Sequence, residues 1–178
     1  MIFRAFLALG GCACAIASGG AATAAPSVVP PPPRLEPAPG WTLVGSMLIG
    51  LTPRRSEPAA AEAVVVAATT PDAARLSPFA LFSSLTRLRR RGAVVMATTI
   101  GRERPGFRFA HARLPLRLSS FRVDRGWENQ PATNIQQRLR AVTVGGWDLD
   151  VRVYFATQHP DRTLLEEAQA ELDRLRLP

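Results

Sequence analysis

The sequence predicts an α+β domain, a mainly antiparallel sheet of about five or six strands with two helices packed on one face. Three observations carry this reading. Two strand-like runs, Gln136 to Val144 and Trp147 to Phe155, flank Gly145-Gly146, and a two-residue glycine link between such runs is a hairpin signature. Short apolar, β-branched stretches at residues 63–68 and 93–100 have the length and composition of strands. Two other segments, one after Ser77 and one after Asp161, repeat apolar residues at helical spacing instead.

The elements follow in chain order. Residues 26–40 read PSVVPPPPRLEPAPG, an extended, semi-rigid proline-rich linker ahead of a single domain at residues 41–178. Residues 41–49 make the first strand, with Gly45 marking a bulge and Gly50 its end. Residues 52–60 are polar and carry two prolines, hence a loop, and residues 63–68 make a second, buried strand. Ser77-Pro78 opens a helix, with serine at the cap and proline in the first turn. Its apolar face is Phe79, Phe82, Leu85 and Leu88, with Leu81 alongside. Arg87 and Arg89-Arg90-Arg91 fall in its last turn, where the helix dipole favours cations, and Gly92 is placed to end it. Residues 93–100 form a third strand, residues 101–113 an arginine-rich loop broken by Pro105-Gly106, and residues 116–123 a short edge strand with imperfect alternation.

The hairpin is the strongest local signal. Along its second arm Trp147, Leu149, Val151, Val153 and Phe155 share one face, and Asp148, Asp150, Arg152 and Tyr154 the other. A two-residue turn pairs Val144 with Trp147 and Val142 with Leu149, so the apolar faces agree near the turn; further out Arg140 opposes Val151 and the agreement weakens. A final helix over residues 162–175 opens with a Thr163-x-x-Glu166 capping box, or with Asp161 as the cap instead. Leu164, Ala168, Leu172 and Leu175 form its stripe, and Glu166, Glu167 and Glu171 lie on or beside the opposite face.

The start of the chain has the layout of an export signal. Arg4 precedes an apolar, small-residue run, and Ala22-Thr23-Ala24 fits a cleavage site, so residues 1–25 are expected to be removed in a compartment outside the cytoplasm. The run is too short for a membrane span of about 20 residues, and no transmembrane helix is expected in the mature chain. Leu9-Gly10-Gly11-Cys12 resembles a bacterial lipobox, which makes Cys12 a candidate lipid anchor. The only cysteines, Cys12 and Cys14, lie in this segment, leaving the mature domain without disulfide, thiol nucleophile or thiolate metal site.

All 22 basic residues are arginine. With abundant alanine and proline this points to a GC-rich genome, so arginine content is partly codon bias. The absence of lysine excludes Schiff-base chemistry and a P-loop lysine. The charge is concentrated: from Arg87 to Arg125 there are 11 arginines against Glu103 and Asp124. Arg87, Arg89, Arg90, Arg91, Arg102, Arg104 and Arg108 form a candidate basic patch for an anionic membrane surface or envelope polymer. With only Phe107 and Phe109 interleaved, there is little stacking surface for specific nucleic-acid recognition.

Other candidate chemistry is sparse. His111 and His159 have no second ligand at metal-binding spacing, and no metal or cofactor is expected. Trp127, Glu128, Asn129 and Gln130 suit a polar ligand such as a sugar, and equally suit a tryptophan plugging the core edge beside a polar turn. Asp148 and Asp150 lie about 7 Å apart on one strand face, which permits paired-carboxylate chemistry or describes a solvated outer face neutralised by Arg152. The preferred expectation is a non-enzymatic exported domain that binds an anionic surface or another protein. The alternative is a secreted hydrolase with its site near Trp127, Glu128 and the Asp148/Asp150 pair.

Three stretches, Gly126-Trp127-Glu128-Asn129-Gln130-Pro131, Val151-Arg152-Val153-Tyr154-Phe155 and Ala170-Glu171-Leu172-Asp173-Arg174-Leu175, resemble a group of uncharacterised exported bacterial proteins of GC-rich genomes. The resemblance spans roughly the last third of the chain. It implies export and a shared domain; the group has no assigned activity, so it carries over no functional residue.

Overall fold

A computed structural model describes residues 30–50, 61–76, 84–89, 91–102, 109–124 and 134–178. The strands are β1 (Arg34–Leu35), β2 (Trp41–Gly50), β3 (Ala61–Thr69), β4 (Ala93–Arg102), β5 (Ala110–His111), β6 (Arg122–Asp124), β7 (Gln136–Val144), β8 (Trp147–Phe155) and β9 (Leu175–Arg176). Among the described residues, the α-helices with both ends in view are α1 (Thr70–Ala73) and α2 (Arg162–Leu172). Seven strands form one open, mixed sheet in the order β2-β3-β4-β8-β7-β5, with β6 also on β7. All pairings in it are antiparallel except β5 on β7. The α+β class stands, with the two short strands β5 and β6 sharing the outer edge of β7 and taking the sheet beyond the expected five or six.

The hairpin has the expected register: Val144 pairs with Trp147, Val142 with Leu149 and Arg140 with Val151. Gly145 and Gly146 sit at φ of 59° and 79°, the left-handed conformations that this two-residue turn requires and glycine supplies without strain. Arg140 is accommodated opposite Val151 by reaching out to the Ser120 hydroxyl. In β2 the register shifts between Leu43 and Gly45, a bulge where the glycine marks one.

Both faces of the sheet are covered. Odd positions of β3, β4 and β8 build the first cluster, with Val65, Val95, Val151, Val153 and Phe155 joined by Leu164, Ala168 and Leu172 of α2. Even positions build the second, in which Val66, Val94, Met96 and Tyr154 pack with Leu76, Leu85 and Ile135. Ala73 of α1 packs against this second cluster. The expectation of two helices on one face is therefore not confirmed: α2 belongs to the first cluster, whereas Leu85, from the segment expected to form the other helix, belongs to the second.

Four local expectations change. Residues 77–83 lie outside the described residues, but Ser84 and Leu85 are helical and the chain has turned by Arg87. Arg87 follows directly on these helical residues, its N–H donating to the Ser84 carbonyl at 2.9 Å, whereas Arg89 lies beyond them with its N–H held by the buried Asp72 described below. The stretch at 116–123 is a 3-10 turn, Leu118–Ser120, followed by β6. Its alternation is imperfect because Leu116, Leu118 and Phe121 all reach the first cluster, while Gln169 of α2 serves the backbone, accepting from Leu118 N–H at 2.8 Å and donating to the Leu116 carbonyl at 3.0 Å. The last helix stops at Leu172, and Leu175 is buried in β9 instead. Asp161 is its cap, accepting from Leu164 N–H at 2.9 Å.

The fourth change is at the N-terminal end. Residues 30–40, the end of the expected linker, pack on the domain. Leu35 and Ala38 enter the first cluster, and β1 pairs antiparallel with β9. Glu171, expected near the polar side of its helix, is fully buried and accepts from Ala38 N–H at 2.8 Å. The Ala38 N–H thus gives this buried acid a hydrogen-bond partner from residues 30–40.

Candidate functional site

The end of β3 reads Thr69-Thr70-Pro71-Asp72. Proline at the start of α1 suits a missing donor there, and the short helix brings Asp72 back over the strand end. Asp72 is 1 % exposed. One of its oxygens accepts from the Thr69 hydroxyl at 3.1 Å, and the other from Arg89 N–H at 2.9 Å. The Thr69 hydroxyl in turn accepts from Ala93 N–H at 3.3 Å, and the Asp72 carbonyl accepts from Arg75 N–H at 2.9 Å. One buried carboxylate thus ties the end of β3, the arginine turn and the start of β4 together.

Around this anchor Arg75, Arg87, Arg89 and Arg91 are all exposed. Arg91 pairs with Asp161 at 3.0 Å, and at such exposure the pair adds little to stability but links the turn to the cap of α2. Gly92 closes the turn, its N–H donating to the Arg89 carbonyl at 2.7 Å. A Cβ there would lie 2.5 Å from an Asp72 oxygen, so the carboxylate leaves room for glycine alone. Sequence reasoning missed Arg75 and Asp72. The signal was present in the polar run after a buried strand, but its partner lies 17 residues on, a separation no local pattern reports.

The described arginines do not form one patch. Arg91 and Arg102 stand at opposite ends of β4, about 30 Å apart for a ten-residue strand. Arg102 lies over the Trp147 ring with its guanidinium 5.2 Å from the centroid, a cation–π contact at the hairpin tip. Arg90, Arg104, Arg108, the stretch Trp127, Glu128, Asn129 and Gln130, and Cys12 lie outside the described residues.

The polar side of β8 is not a solvated face. Asp148 is 5 % exposed and accepts from the Thr143 hydroxyl at 2.8 Å. Asp150 is held by Arg152, whose Nε and Nη2 both lie 2.8 Å from one carboxylate oxygen. Tyr154 is fully buried in the second cluster, and burial pushes its phenol up to about 12, with Arg152 working against that shift. Each carboxylate is thus engaged by a separate partner. Gln137, directly across from Tyr154, is buried, and its carbonyl oxygen has no hydrogen-bond partner among the described residues.

His111 lies on β5 and His159 in the turn before α2, both exposed. Among the described residues no group of three or more His, Cys, Asp or Glu could hold a metal ion, and no helix is long and apolar enough to cross a membrane. No family model, curated protein or solved structure matches the chain.

Proposed function

We propose that this chain is an exported, non-enzymatic binding domain whose arginine turn docks on an anionic surface of the cell envelope. The observation that carries the reading is the set Arg75, Arg87, Arg89 and Arg91, exposed around one buried carboxylate. Guanidinium groups on a fixed turn lose less freedom on docking than those on a loose tail. Each basic residue near an anionic membrane contributes about 1 kcal/mol, so three or four give weak, salt-sensitive binding. A tether through Cys12 would add effective concentration to that weak contact. The signal-like residues 1–25, and the resemblance to uncharacterised exported proteins, support export. The hydrolase alternative draws no support from Asp148 and Asp150, which are occupied by Thr143 and Arg152.

The test is co-sedimentation of the mature domain with vesicles of phosphatidylglycerol and phosphatidylcholine, against phosphatidylcholine alone. Binding to the anionic vesicles is expected at low salt and lost near 0.5 M, where screening acts within about 4–5 Å. The variant R75S/R87S/R89S should lose most of it; Arg91 is kept because it pairs with Asp161. No anionic preference at low salt, or full binding by the triple variant, would sink the reading.

A further inference from the structure

The strap at residues 30–40 is tied down by few bonds. Beyond the two-residue pairing of β1 with β9, the Ala38 carbonyl accepts from Trp41 N–H at 2.9 Å, and the Gly40 carbonyl accepts from Thr70 N–H at 2.8 Å. Gly40 takes the left-handed conformation, φ 81°, that turns the chain from strap into β2. Leu35 and Ala38 are the strap's contribution to the first cluster. Among the described residues, the remaining bond is the one from Ala38 N–H to Glu171, across 133 positions of sequence.

Glu171 is an unusual group to place there. It is fully buried, one carboxylate oxygen holds the strap, and the other has no hydrogen-bond partner among the described residues. A carboxylate sealed in an apolar site with one donor is poorly stabilised as an anion. The charged groups on the surrounding elements give it little help. Arg34 and Glu36 of the strap, Arg176 of β9 and Glu167 of α2 are exposed; Asp173 is half-buried and bonded to Gln169. Arg174, exposed at the end of α2, favours the anion from outside.

The geometry points to the strap being a proton-controlled latch, closed over Glu171 when its carboxyl is neutral and released when it ionises. Opening the strap lets water reach the anion, whereas closing it seals the neutral acid beside Leu35 and Ala38. Burial holds the Glu171 carboxyl above the ordinary value of 4.5, with the Ala38 bond and Arg174 opposing. A raised value in the closed state means that its full stability is present below the ordinary carboxylate range. That stability is lost as pH rises through the raised value. The latch lies at the N-terminal approach to the domain, so acidification holds residues 30–40 on it and neutral pH releases them ahead of β2.

Hydrogen exchange at the Ala38 amide, corrected for intrinsic rate and followed from pH 4 to pH 8, tests this on the intact chain. Protection should fall about tenfold per pH unit between the open-state and closed-state pKa values, then level off. Glu171→Gln keeps an acceptor for Ala38 N–H without a titrating proton and should remove the pH dependence. Arg174→Gln, at an exposed position, should move the transition to higher pH and serves if the first variant fails to fold. A wild-type profile flat across the range, an unchanged pH dependence in Glu171→Gln, or no upward movement in Arg174→Gln would each overturn the latch.

Discussion

The two faces of the sheet are built from the same strands but follow different rules. On the first, Val95, Ala97, Val151, Val153 and Phe155 are wholly buried beneath α2, the strap and the turn at Leu118. Almost any well-packed apolar set would serve there. The second is apolar at the end where Val94 and Tyr154 meet Leu76, Leu85 and Ile135. Toward the hairpin it turns polar, with Asp148 on Thr143 and Asp150 on Arg152. The difference teaches that alternation along a strand separates two faces without saying which is wet. A polar row can be withdrawn from water where register supplies its partners.

The sharpest way to break that comparison is to remove apolar volume from the first face. Phe155→Ala should cost about 3–5 kcal/mol, measured by urea unfolding. A cost below about 1 kcal/mol would mean that this face is not the main core. The second face can be read through Tyr154, the only tyrosine in the chain. Its ultraviolet titration should reveal no phenolate near pH 10 and a midpoint near 12 while the protein stays folded. Because the folded value is raised, its contribution to stability is complete below pH 10 and lost as pH rises through about 12. Ionisation at the ordinary value would place Tyr154 in water and reverse the account of that face. The smallest effect is expected where the faces meet solvent at the hairpin tip. Arg102→Ser removes the stacking on Trp147 and should cost about 0.5 kcal/mol. A loss above about 2 kcal/mol would assign this contact a structural role beyond a surface pair.

Legibility followed the distance over which each signal acts. Gly145-Gly146 dictated a turn, the turn dictated register, and register placed Trp147 to Phe155 correctly on their two faces. The start of the last helix was recognisable within a few residues, and the structure decides between the two candidate caps in favour of Asp161, which serves an N–H three residues on. The arginine turn was not recognisable, since Arg89 is positioned by Asp72, which sits in the short helix after β3 and 17 residues before it. Nor was the burial of Glu171, whose partner lies 133 positions away. Proline content at residues 30–40 describes a stiff chain, and a stiff chain is equally suited to standing free or to lying in a groove.

What the sequence determined by itself was the hairpin with its register, the strands at residues 41–49, 63–68 and 93–100, the start of the last helix and the bulge at Gly45. These follow from backbone preferences and side-chain periods within about ten residues. The tertiary structure alone decided that both faces are covered, that Arg91 and Arg102 stand at opposite ends of β4, that Asp148 and Asp150 have separate partners, and that the strap closes over a buried acid. Each of those depends on which distant group arrives opposite a given side chain. The cost of burying a charge or a polar atom depends on that arrival, and not on the residue that carries it.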